Sequence, residues 1–379
     1  MALAAAGVVT ACSGGSDGAP KAEPASSAPT TSAPATSASA TPAATSTKAT
    51  PVAAPGAHVV RTLATGLNVP WGIAFLPDGS ALVGSRDTAT VAHVTSTGRV
   101  ARVGTVPGVR SNGSSGGEAG LLGLAVSPSF ARDHLVYAYL SAGSDNRIVR
   151  MSFTGNRLGP PHAILTGVPR GLHHNGGRLA FGPDGMLYAS TGESGDKPLA
   201  QRLSSLGGKV LRMRPDGSVP PGNPYRGSLV WSYGHRNVEG IAFAGSRLWA
   251  SEFGDKGWDE LNLIRPGHNY GWPATEGRTS VRGYTSPLAQ WHTDDAGPSG
   301  IAVKEGVAWI AALTGRRLYR VQLTGARAGS YKTYFVGTYG RLRTAALAPN
   351  GLLWLTTSNT DGRTSPRSGD DRILLVRVS

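Results

Sequence analysis

Cysteine is nearly missing from this chain: Cys12 is the single copy among 379 residues. No intramolecular disulfide can form, and a cysteine-based metal site is excluded. Beyond the N-terminal segment no apolar run approaches the roughly 20 residues that a membrane-spanning helix needs. Helical periodicity is also scarce, with no stretch of 3.6-residue apolar period long enough to read as a helix. Basic residues are plentiful but scattered. Lys and Arg number 37 against 23 Asp and Glu, a formal charge of +14, yet there is no dense basic run and no helix to carry one. Nucleic acid is therefore not an expected partner. A field of this sign favours an anionic small molecule or an acidic surface, or is simply a basic solvated exterior.

The position of the lone cysteine is informative. Met1 to Ala11 is small and apolar, and Val9-Thr10-Ala11-Cys12 fits a bacterial lipobox, although the basic residues that open a signal peptide are missing. Residues 1–12 are expected to be a lipoprotein signal segment with Cys12 as the lipidation site. That makes the protein extracytoplasmic, touching the bacterial cell membrane only through a lipid anchor. Residues 13–56 are mostly Ala, Ser, Thr and Pro, with too few large apolar side chains to offset chain entropy, and are expected to be a disordered tether.

From residue 57 to 379 the texture changes to short β-rich runs separated by Gly, Pro, Asp and Asn. A first strand recurs as Gly72-Ile73-Ala74-Phe75, Gly123-Leu124-Ala125-Val126, Arg178-Leu179-Ala180-Phe181, Gly240-Ile241-Ala242-Phe243, Gly300-Ile301-Ala302-Val303 and Thr344-Ala345-Ala346-Leu347. Each copy leads through a turn such as Pro183-Asp184-Gly185 into a second strand, among them Met186-Leu187-Tyr188-Ala189 and Leu352-Leu353-Trp354-Leu355, and then into a third. Six such antiparallel meanders predict an all-β chain, a six-bladed β-propeller of four-stranded blades. No residues remain after the last third strand, so His58 to Leu63 is expected to supply the outermost strand of the final blade and close the ring.

The loops entering the innermost strands of a propeller collect at one mouth of the central channel. There the sequence places Glu118, His173, His174 and Asn175, then His235, Arg236 and Asn237, then Arg341 and Arg343. Guanidiniums facing a channel suit a carboxylate or phosphate ligand, and a histidine beside them suits a general base. His174, in a Gly-bounded loop, reads as functional; His235 reads as a hydrogen-bonded strut, and His173 stays open. The stretch Ser251 to Glu260, with Glu252, Asp255, Asp259 and Glu260 beside two glycines, reads equally as a hard-cation site or a solvated acidic loop.

In order, His174-Asn175-Gly176-Gly177-Arg178-Leu179, Leu206-Gly207-Gly208-Lys209-Val210-Leu211-Arg212, Gly234-His235-Arg236-Asn237, Trp258-Asp259-Glu260-Leu261-Asn262-Leu263 and Asn269-Tyr270-Gly271-Trp272-Pro273 resemble the soluble glucose and aldose sugar dehydrogenases. These are six-bladed propellers that use pyrroloquinoline quinone (PQQ) and calcium, and the resemblance spans nearly everything from about residue 60 onward. It implies oxidation of an aldose at the anomeric hydroxyl, with an external electron acceptor. His174 would be the general base, Arg236, Asn237, Arg341 and Arg343 the cofactor contacts, and Glu118 and His173 the substrate side, His173 standing where the family has an acidic orienting residue. Gly254 and Asp255, through backbone carbonyls, and Asp259 would bind the calcium. Three positions depart from the family pattern: Glu118 replaces a glutamine, Thr314 a cofactor-binding lysine, and Thr344 an aspartate. The Thr314 departure keeps an alternative open, a non-catalytic propeller lipoprotein that binds a glycan or a protein.

Overall fold

The computed structural model describes residues 56–379, so the expected signal segment, Cys12 and the tether up to residue 55 lie outside the described residues. Six antiparallel sheets follow one another around a ring, each a four-strand meander, and one carries an extra two-residue strand. The first blade runs Pro70–Phe75, Ala81–Ser85, Thr90–Val94, Val100–Thr105; the second, Leu121–Val126, Leu135–Ser141, Asn146–Thr154, His162–Val168. The third is Leu179–Phe181, Leu187–Ser190, Lys209–Met213, Val230–Tyr233, and the fourth Asn237–Ala244, Arg247–Phe253, Trp258–Ile264, Ala289–His292. Pro298–Lys304, Val307–Ala312, Arg317–Gln322 and Tyr331–Tyr334 build the fifth. In the sixth, Leu342–Leu347, Leu353–Thr357 and Ile373–Val378 are completed by the N-terminal strand Ala57–Ala64, with Ala57 opposite Val378 and Ala64 opposite Ile373. The ring thus closes as expected, with the N-terminal strand supplying the fourth strand of the last blade.

The repeated motifs have physical reasons. The buried apolar clusters lie mainly between neighbouring blades: Leu82, Val91 and Val103 against Leu121, Leu124 and Val136, for example, or Trp249 and Leu261 against Ile301 and Ile310. An aromatic residue of a second strand meets the Phe that ends the next blade's first strand: Tyr137 on Phe181 at 5.1 Å, Tyr188 on Phe243 at 5.0 Å, Trp354 on Phe75 at 5.0 Å, all edge to face. The recurrent glycine that opens the first strand answers a different demand, close approach. A Cβ on Gly72 would lie 2.5 Å from Leu122 O, on Gly123 2.2 Å from Gly177 O, and on Gly240 2.2 Å from Ser299 O. Innermost strands crowd the axis so closely that four of the six copies carry no side chain there.

The sequence repeat identified three strands per copy, and the fourth carried no recurring motif. The outermost strands explain why. Tyr331–Tyr334 is exposed along three of its four residues, so packing places little demand on its composition.

Candidate active site

In an antiparallel meander the start of the first strand and the end of the second lie at the same end of the blade. The mouth is therefore built from two sets of loops, and the sequence repeat had drawn attention to one of them. Its floor is set by the two copies that lack the glycine. Arg178 projects into the space the glycines vacate and is buried there. Its Nε donates to Glu239 O (2.9 Å), Nη1 to Trp71 O (3.2 Å) and Nη2 to Thr344 Oγ1 (3.3 Å), with the guanidinium 4.0 Å from the centre of the Trp71 ring. One side chain of the third blade thus joins the first, fourth and sixth across the axis.

Register shifts at the mouth ends of the first strands re-aim the residues inside them. Trp71 falls between Pro70 and Gly72, Glu239 between Val238 and Gly240, Ser299 between Pro298 and Ile301, and Arg343 between Leu342 and Ala345. These bulged residues meet: Arg343 Nη1 donates to Glu239 Oε2 at 2.6 Å, and Ser299 Oγ donates to the same oxygen at 2.7 Å. Arg341 Nε donates to Asp361 Oδ2 at 3.1 Å, with Arg343 Nη2 3.9 Å from that oxygen. Burial raises the Asp361 carboxyl, but the two arginines hold it, on balance, below the usual carboxylate range.

His174, in the entry loop of the third blade, has a backbone conformation with φ of 55° that is uncommon outside glycine. Three contacts hold it there. Its N–H donates to Glu118 Oε2 at 2.9 Å, its carbonyl accepts from Ser194 N–H at 3.0 Å, and its Nδ1 lies 2.6 Å from Glu193 Oε1. Gly192 is required beside it, because a Cβ there would lie 2.0 Å from His174 O. Glu193 is buried, while the imidazole keeps 21 % of its surface exposed. A carboxylate can only accept, so it accepts the hydrogen bond of a protonated Nδ1 and leaves the Nε2 lone pair free. Asn175 is structural: it accepts from Gly171 N–H and Asn146 Nδ2.

On the fourth blade Arg236 Nη2 donates to Asp255 Oδ1 at 3.1 Å, and its guanidinium lies 5.5 Å from the Trp272 ring centre. Asn237 accepts Gly176 N–H through Oδ1 at 2.9 Å, so it supports the histidine loop from beneath. His235 is the strut the sequence suggested: buried, stacked on Tyr270 at 4.6 Å, its nitrogens 2.8 Å from Ser232 Oγ and 2.8 Å from Glu252 Oε2.

The turn after Arg247–Phe253 is held through its amides. Gly254 N–H donates to Asp259 Oδ1 at 2.9 Å, Gly257 N–H to Glu276 Oε2 at 3.0 Å, and Asp255 N–H to Glu276 Oε1. Asp259 also accepts Gly297 N–H at 2.6 Å, and burial pushes its carboxyl up to about 7. Beneath the turn, Glu252, Glu260 and Glu276 line a small cavity with Trp258, Tyr270 and Trp272. Burial and the neighbouring Glu252 push the Glu260 carboxyl up to about 8, and Trp272 Nε1 is buried without a partner. The carboxylate oxygens here already accept hydrogen bonds, and among the described residues no three His, Cys, Asp or Glu side chains form a metal-ligating group, so a hard cation at this turn would rest on backbone carbonyls.

His174, Glu118, Arg341 and Arg343 are thus brought together, and Arg236 and Asn237 lie on the adjoining blade. His173 is more peripheral, 44 % exposed, with Nδ1 3.7 Å from Glu118 Oε1. The acidic partner of the His174 ring is Glu193, to which the sequence reading gave no role; Asp361, Glu239, Arg363 and Glu276 were missed as well. All but Glu239 and Glu276 lie after a second strand, so the repeat, applied to that second set of loops, points to them. Thr314 is exposed at the rim, and the nearby Arg317 Nε is turned to Gly315 O at 2.7 Å.

Residues 67–374 match the family model for glucose/sorbosone dehydrogenase. A solved structure, the PQQ-bound form of an aldose sugar dehydrogenase from Streptomyces coelicolor, is similar over 86 % of this chain and 100 % of that one, with a TM-score of 0.82 and 55 % identity. The aldose sugar dehydrogenase YliI of Escherichia coli is 27 % identical over 356 residues, covering 83 % of this chain and 95 % of the relative. The quinoprotein glucose dehydrogenase B of Acinetobacter calcoaceticus is 32 % identical over 289 residues, 65 % of this chain and 60 % of that protein. Fold, motif order and matched span agree, and the chain belongs to the glucose/sorbosone dehydrogenase family of oxidoreductases.

Proposed function

We propose that this protein is a PQQ- and calcium-dependent aldose dehydrogenase in which His174 is the general base. The observation that carries the reading is the His174–Glu193 pair, 2.6 Å apart at the channel mouth, beside guanidiniums from two blades. The donor set fits the cofactor: Arg236 Nε and Arg343 Nε are buried without hydrogen-bond partners, and guanidinium donors match the three carboxylates of PQQ. Arg236, Asn237, Arg341 and Arg343 would hold it. The carbonyls of Gly254 and Asp255 would face the calcium, with Asp259 fixing their turn. When bound, PQQ supplies an electrophilic quinone carbon that takes up hydride, with calcium polarising the quinone.

The protein's own part is proton transfer and orientation. His174 Nε2 accepts the proton of the C1 hydroxyl as hydride leaves C1, so the aldose becomes a lactone. Glu193 keeps Nδ1 protonated and stabilises the imidazolium that forms. Glu118 and His173 would contact the sugar at the rim, and an external electron acceptor completes the cycle. Export and lipidation at Cys12 place this chemistry outside the cytoplasm, and labelling by radioactive palmitate in cells, abolished in Cys12→Ser, tests that part.

The central test mixes purified protein with PQQ, calcium and a panel of aldoses and follows dye reduction. Turnover is expected. His174→Ala should lower kcat on the order of 10²–10⁴-fold while PQQ still binds; a wild-type protein that binds no PQQ and reduces no dye refutes the proposal.

A further inference from the structure

We infer that Arg363 is a positioning residue of this site, a clasp that draws the long loop of the sixth blade onto the entry loop of the second and holds Glu118 against the His174 backbone. The inference rests on the function proposed above. Arg363 lies in the connection between Leu353–Thr357 and Ile373–Val378. Its Nη2 reaches across the mouth, donating to Gly116 O at 3.0 Å and to Glu118 Oε1 at 3.4 Å. The other oxygen of Glu118 accepts His174 N–H at 2.9 Å. The main chain of Glu118 is fastened too, its N–H donating to Leu172 O at 2.9 Å.

The root of the clasp is equally defined. Arg363 N–H donates to Asp361 Oδ1 at 3.1 Å, and Asp361 Oδ2 accepts Arg341 Nε at 3.1 Å. One hydrogen-bonded chain therefore runs from an arginine assigned to the cofactor, through Asp361, Arg363 and Glu118, to the backbone of the base. Burial raises the Glu118 carboxyl, but the His174 N–H and the Arg363 charge outweigh it, so Glu118 stays ionised as an acceptor. A planar guanidinium serves a carbonyl and a carboxylate together, which a lysine ammonium does with less directional control. The restraint is needed because His174 occupies positive φ, from which an unpinned histidine relaxes.

Arg363 and Glu118 keep 29 % and 25 % of their side-chain surfaces exposed, and an ion pair so open to water contributes little to global stability. That separates the clasp from a merely structural bond. In the full-length protein loaded with PQQ and calcium, Arg363→Gln is expected to lower kcat about 10- to 100-fold. KM for the sugar and PQQ affinity, read by absorbance titration, should change less, with melting temperature near wild type. Arg363→Lys should regain part of the loss. In the cofactor-free protein, amide hydrogen exchange at His174 should quicken in Arg363→Gln and stay unchanged in the distant blades. An active wild type with unaltered kcat and His174 exchange in Arg363→Gln overturns the clasp. So does a loss of kcat matched by an equal loss of PQQ affinity, which would make Arg363 a cofactor contact. A wild type without turnover overturns the proposed dehydrogenase reaction instead, and His174 exchange still decides the clasp by itself.

Discussion

At the scale of single residues, the site turns on carboxylates that can only accept. Glu193 orients His174, and Glu193→Gln offers Nδ1 either an amide oxygen or an amide NH₂, so the tautomer is no longer enforced. Turnover should fall on the order of 10²-fold or more, with PQQ affinity preserved, which steady-state kinetics and absorbance titration will check. Asp361 compensates Arg341 and Arg343 at the channel floor. Its folded pKa lies below the ordinary 3.8, so its stabilisation is complete above that value and disappears as pH falls through the folded pKa. Asp361→Asn should therefore lose about 3–5 kcal/mol at neutral pH, as expected when one partner of a buried ion pair is removed. The gap from wild type should begin to narrow as pH drops below 3.8 and close only below the folded pKa, which denaturant melts at pH 7 and at a series of acidic pH values will follow. Neither carboxylate belongs to a family motif quoted from the sequence, and their roles emerge only from the partners folding brings to them.

Among elements, the first strand of each blade has two demands that the sequence states differently. Its glycine is legible as a repeat, and the structure supplies the reason, an approach of neighbouring backbones too close for a Cβ. Gly240→Ala forces that Cβ to within 2.2 Å of Ser299 O, a backbone atom that cannot swing aside, and equally close to Ser251 Oγ. A loss of about 1–3 kcal/mol or more is expected, seen as a lower denaturation midpoint, together with weaker activity because Glu239 and Ser299 flank the displaced strands. Arg178 breaks the same repeat, and that break was the stronger signal: an arginine at a position of glycines has the channel axis as its only room. The bulges that turn Trp71, Glu239 and Arg343 inward were not legible, since a one-residue register shift depends on the pairing of two strands and leaves no pattern in either.

For the whole molecule, a net charge of +14 and a mouth lined with guanidiniums favour capture of an anionic cofactor. Association of PQQ with the calcium-loaded protein should slow as salt rises, measurable by stopped-flow absorbance. Calcium and PQQ would bind blades four and six in the proposed arrangement, so ligand binding adds to the direct link that Arg343 and Glu239 already make between them across the axis. At 100 times Kd each such ligand stabilises by about 2.7 kcal/mol. The melting temperature should rise by several degrees on adding both and return on chelation; no shift in calorimetry would exclude binding to the native state.

The sequence by itself determined the number of blades, the all-β meander, the closing N-terminal strand and the family, because those follow from local turn chemistry and a short repeat. It also named His174, Arg236, Arg341 and Arg343, which lie in loops whose place at the mouth follows from that repeat. Only the tertiary structure decided what surrounds them. Glu193 beside His174, Asp361 beneath Arg341 and Arg363 over Glu118 are contacts across 19, 20 and 245 residues of chain. The first two join the loop before a first strand to the loop after a second strand of one blade, and the third exists because the closed ring brings sequence-distant blades to one axis, a distance that no local pattern encodes.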